Sequence, residues 1–198
     1  MNCKRYASTV VSLMGLCGFM AINANSAAAQ KVRWQTILGI KESGDVVGVG
    51  TGAISGGAPW ETLGGSVKVN LNTGKVKFEV DGLILAVGSV FELGGTDFTT
   101  PPAGFSGLPI GTPAGITAVK GTLVCNVTGD QGPNSVSVDT PVVTLDAQGN
   151  ANFSGNFTSA IPSDCSHNIA FDDAFLIRIG SGGFENAWIA FGAVLTVK

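Results

Sequence analysis

Ser66-Val67-Lys68-Val69-Asn70-Leu71-Asn72-Thr73-Gly74-Lys75-Val76-Lys77-Phe78-Glu79-Val80 decides the fold. Val67, Val69 and Leu71 alternate with Lys68 and Asn70, and after the turn Val76, Phe78 and Val80 alternate with Lys75, Lys77 and Glu79. Period two places each apolar set on one face of an extended strand. Asn72-Thr73-Gly74 supplies the reversal, with glycine free to take the positive φ of a short loop. The stretch therefore predicts a β-hairpin with one face in the core and one in water, the pattern of an antiparallel sheet.

The same period extends in both directions. Upstream, Val32, Trp34, Thr36, Leu38 and Ile40 share a face, with Arg33 and Gln35 opposite, and Lys41 to Asp45 reads as a turn. Val46–Ser55 reads as a strand thinned by Gly48, Gly50 and Gly52, a side with no side chains that another backbone can approach. Its fit to G-x-G-x-x-A carries no dinucleotide site, because no helix follows. Downstream, Val142–Leu145, the turn Asp146-Ala147-Gln148-Gly149 and Asn150–Phe157 read as a second hairpin. Leu83–Leu93 and Trp188–Val197 are apolar on both faces and read as central strands, and Ile116–Val127 and Ala174–Ile179 complete the set. The expected fold is all-β, an antiparallel β-sandwich of roughly nine or ten strands, with a closed soluble β-barrel as the alternative.

Ahead of this domain, Lys4 and Arg5 precede the apolar run Val10–Ile22, and Ala27-Ala28-Ala29 precedes Gln30. Basic, apolar and small residues in that order make a cleavable export signal over residues 1–29, too short in its apolar part to remain as a membrane span. A single domain over residues 30–198 then works in the periplasm or outside the cell, with no integral membrane segment once the leader is gone. Cys3 and Cys17 leave with the leader, and Cys17 follows Leu16 rather than the small residue that a lipidation signal uses. Cys125 and Cys165 remain as an even pair without a C-x-x-C motif, which reads as a structural disulfide. A small outer-membrane barrel would fit the length, but the single tyrosine, Tyr6, lies in the leader and the chain ends in Lys198.

Hydrophobic residues make up 44% of the 198 and charged ones 13%, a globular composition. The formal net charge is -3, and Lys68, Lys75 and Lys77 on the first hairpin are the one local cation cluster, so nucleic acid is not the expected partner. His167 is the single histidine, which excludes histidine-rich metal sites; neither metal nor cofactor is expected. Ser163-Asp164-Cys165-Ser166-His167 gathers triad letters, yet neighbours on an extended segment point apart and no G-x-S-x-G elbow exists. Asp130, Asp139 and Asp146 flank loops without a D-x-D-x-D-G run. Asn126, Asn152 and Asn156 stand in N-x-[ST] triplets that carry no reading of glycosylation in this setting. No catalytic residue is assigned.

Gly94–Gly115 interrupts the strands with Pro101, Pro102, Pro109 and Pro113, and holds Phe98, Phe105, Leu108 and Ile110. Prolines exclude a central strand, and a loop of this length often binds something. The favoured function is an exported, non-enzymatic binding or structural domain. Trp60, Phe98 and Phe105 are its candidate ligand contacts, toward a carbohydrate, an apolar ligand or a surface protein. Two alternatives stand beside it: a secreted hydrolase or lyase working through carboxylates such as Asp172, Asp173 or Glu185, and a β-barrel carrier of a small ligand.

Overall fold

The structure, a computed structural model, describes residues 30–86, 110–166, 172–181 and 185–197. In chain order the strands are β1 (Lys31–Gly39), β2 (Val46–Val47), β3 (Ile54–Ser55), β4 (Trp60–Glu61), β5 (Gly64–Asn70), β6 (Lys75–Asp81), β7 (Ile84–Leu85), β8 (Ala118–Cys125), β9 (Val136–Asp139), β10 (Val143–Thr144), β11 (Ala151–Asn156), β12 (Asp173–Ile179) and β13 (Trp188–Val197). The fold is all-β and antiparallel. Nine strands form one large sheet in the order β10-β8-β12-β13-β1-β5-β6-β11, with β9 beside β10 on the same edge of β8. β2 with β3 and β4 with β7 make two small sheets beside it.

The large sheet curls into a half-barrel, so the inner faces of its two halves pack on each other as the layers of a sandwich do. Phe175 on β12 meets Trp34 on β1 at 5.8 Å between ring centroids, and Phe78 on β6 at 6.0 Å, although one strand lies between β12 and β1 and three between β12 and β6 along the sheet. The two edges approach through residues 145–150, which join β10 on one edge to β11 on the other. Just past β11, the Thr158 backbone N–H and hydroxyl both donate to the Asp139 carbonyl at the end of β9, at 2.8 and 2.9 Å.

The hairpin of β5 and β6 is as expected. Val67, Val69, Leu71, Val76, Phe78 and Val80 are buried, Lys68, Lys75, Lys77 and Glu79 are exposed, and Gly74 takes φ +69°. Four other expectations need correction. In β1 the inward set slips: Ile37 is fully buried and Leu38 is 43% exposed. The slip lies where Val194 of the paired strand takes φ +56°, a local irregularity that re-aims side chains. Val46–Ser55 is a short β2–β3 hairpin around a 3₁₀ turn at Gly50–Gly52. Its glycines do admit a backbone, since a Cβ on Gly50 or Gly52 would strike the carbonyls of Pro133 and Ser135. β10 and β11 do not form a ladder with each other; β10 pairs with β8 and β11 with β6. Finally, β13 is buried on both faces only over Trp188–Ala190, where Gly57 and Ile40 hydrogen-bond its carbonyls, while Val194 is 62% exposed. Of the other doubly apolar run, Leu83 and Leu85 are buried and the residues after Ala86 lie outside the described part.

Candidate functional site

Trp60 sits on β4 with its backbone N–H bonded to the Ile40 carbonyl and no exposed surface. Its indole N–H is buried with no acceptor among the described residues, a cost of about 1–3 kcal/mol. Phe98 and Phe105 lie outside the described residues. The chain is tied down on both sides of them: the Leu85 N–H donates to the Thr112 carbonyl at 2.8 Å, and the Gly111 N–H to the Leu85 carbonyl at 2.9 Å. The structure thus places Trp60 in the core beside β7, and its ring offers a partner no face.

Cys125 and Cys165 form a disulfide, with Cα atoms 5.0 Å apart, joining the end of β8 to the 3₁₀ turn Ser163–Ser166. Next to it, Asp172 is buried. Its carboxylate accepts from the Thr128 backbone N–H at 2.9 Å, the Thr128 hydroxyl at 2.7 Å and Gln131 Nε2 at 2.9 Å. Burial works against its charge, but these donors outweigh that and hold the carboxyl below its usual range. The neighbouring Asp173 is pushed up to about 7, first by burial and then by the charge on Asp172. Split carboxyl pKa values are a mark of acid–base sites. Here, however, both Asp172 oxygens are engaged in fastening the 127–131 loop, and Glu185 follows the opposite end of β12 from Asp173.

Of the loop-flanking acids Asp130, Asp139 and Asp146, the last two are likewise occupied. Asp139 accepts Lys120 Nζ at 2.7 Å and the Thr122 hydroxyl at 2.7 Å, and pairs with Arg178 at 3.3 Å. Burial opposes its charge, yet those hydrogen bonds and cations prevail and its carboxyl titrates low. The same burial pushes Arg178 down, with Asp139 countering it, and a guanidinium stays charged regardless. Asp146 accepts the backbone N–H groups of Asn150 and Gln148, closing its turn.

A different feature gathers on the outer face of β1, β5, β6 and β11. Cross-strand register aligns Arg33, Lys68, Lys77 and Ser154 in one row, and Lys31, Asn70, Lys75 and Asn156 in a second. Between them runs a third row, Val32, Val69, Val76 and Gly155; its three valine side chains point into the core. Directly opposed residues share a face, and residues two apart along a strand stand side by side. The two outward rows are therefore walls, and the valine–glycine row is a floor of bare backbone. The groove between them has a volume of about 560 Å³. Strand spacing sets its length at roughly 14 Å across the four strands, and the two-residue offset sets the rows roughly 7 Å apart.

Five of the chain's 11 lysines and arginines line this groove, and no acid does. All five are exposed, and the ion pairs among the described residues, both at Asp139, involve none of them. Glu79, the next outward residue on β6, stands outside the wall, opposite Ser66 and Asn152. The hairpin sequence discloses three of the cations, Lys68, Lys75 and Lys77. Lys31 and Arg33 join them only through the β1–β5 pairing, which no local signal specifies.

No protein-family model, curated protein or solved structure matches this chain.

Proposed function

We propose that the protein is an exported, non-enzymatic binding domain that engages a negatively charged partner through the groove across β1, β5, β6 and β11. One observation carries this reading: an acidic chain sets five exposed cations in two facing rows, with no ion pair to any of them among the described residues and no carboxylate lining the groove. Like charges side by side on a sheet destabilise it, so the arrangement costs the fold something unless an anion neutralises it. The carboxylates on which a hydrolase or lyase would depend speak less for catalysis, since Asp172 is engaged by Thr128 and Gln131 and Glu185 stands at the other end of β12. Export rests on the leader residues and remains part of the proposal.

The test is binding of inorganic polyphosphate, followed by calorimetry at two salt concentrations. Wild-type protein should bind and should weaken steeply with salt, because exposed charges are screened. The double variant Lys68→Gln/Lys77→Gln should bind at least tenfold more weakly while melting at or slightly above the wild-type temperature, since two directly opposed like charges are removed. Equal affinity of wild type and variant overturns the assignment of the groove.

A further inference from the structure

Resting on the reading of the groove as an anion site, we infer that its ligand is a single extended chain of an acidic polysaccharide, laid across the strands. Three features of the groove argue for this class over other polyanions. The first is repeat. Arg33, Lys68 and Lys77 occupy successive strands in register, so cations recur at about the 4.8 Å strand spacing along one wall. That interval is close to the advance of one sugar ring along a polymer, so successive uronate carboxylates can meet successive cations.

The second feature is the floor. It is backbone alone, flat and without protruding side chains, which lets a ring lie between the walls. The two rows stand roughly 7 Å apart from backbone to backbone, a strip that one extended chain can follow and a duplex cannot enter. The third is the mixture of donors. Ser154 and Asn156 end the two walls with neutral hydrogen-bonding groups, and Asn70 stands between Lys31 and Lys75. Ring hydroxyls alternate with carboxylates along such a glycan and need partners of that kind, whereas a chain of phosphates needs only charge. A membrane surface fits less well, because no apolar side chain projects from either wall to enter the lipid interface.

The experiment uses the processed protein and three probes: polygalacturonate, inorganic polyphosphate, and vesicles of phosphatidylglycerol. Polygalacturonate should bind at least tenfold more tightly per negative charge than polyphosphate. The exposed substitution Asn156→Ala should weaken polygalacturonate severalfold and leave polyphosphate unchanged. Lys68→Gln/Lys77→Gln should weaken both. Preference for polyphosphate or for vesicles, with the lysine variant still defective, overturns the glycan inference and leaves the anion-binding function standing. Indifference of all three probes to the lysine variant overturns both.

Discussion

Gly121 on β8 has no side chain because two rings occupy the place where one would stand. A Cβ there would strike the Phe175 ring and crowd Phe78 at 3.0 Å, and both rings are fully buried. Tightly packed interiors resist added volume. Gly121→Ala should therefore lower stability by about 1–3 kcal/mol, read as a shifted urea midpoint. Asp173 acts through charge rather than volume. Its folded pKa of about 7 lies above the ordinary aspartate value, so the native state keeps a proton that the unfolded chain releases. Stability from this group is then highest below about pH 4 and declines as pH rises toward about 7, where the penalty levels off. Asp173→Asn should abolish that decline, giving a higher urea midpoint than wild type at about pH 8 and little difference at about pH 4. Asp139 and Asp172 have the opposite sign: their depressed pKa values contribute stability above the ordinary range, which is lost as acid protonates them.

At the scale of elements, the disulfide fastens the 3₁₀ turn Ser163–Ser166, which lies outside the strands, to the end of β8. Cys125 closes β8, and 40 residues later Cys165 lies in a short 3₁₀ turn. Loop closure of that size contributes about 4 kcal/mol in the chain-entropy model, so reduction, or Cys125→Ala with Cys165→Ala, should lower the unfolding free energy by up to that amount. Denaturation with and without reductant measures it directly. Elements whose partners are local were legible in the sequence: Val67 to Val80 alternate cleanly because Gly74 brings the two strands together within one turn. Elements whose conformation depends on distant contacts were not. The Gly48–Gly52 glycines read as a thinned strand, and the distant residues Ser135, whose Oγ accepts the Val49 N–H at 2.7 Å, and Asn134, whose Oδ1 accepts the Thr51 N–H at 2.8 Å, show why they bend. Asn126 was similarly opaque. It takes φ +58°, and its side-chain amide bonds three backbone groups of the following loop, a role that its N-x-[ST] triplet does not announce. Trp60 looked available because Gly56, Gly57 and Pro59 precede it, yet it is fully buried on β4, which pairs with β7.

For the whole molecule, charge and curvature are segregated. The inside of the curl is aromatic and aliphatic, and the outside of β1, β5 and β6 presents Arg33, Lys68 and Lys77. Among the described residues no helix is long and apolar enough to cross a bilayer. The groove is a property of this level: its floor and walls exist only when four strands from three regions of the chain align. One pairing has a kinetic corollary. β1 lies between β5 and β13, and its ladder with β13 runs from Val32 opposite Val197 to Gly39 opposite Ala190. Such sequence-distant contacts make a slow folder. A polypeptide emerging amino end first holds one margin of β1 bare until the β13 residues follow, so a chaperone that recognises extended apolar backbone has that whole interval in which to act.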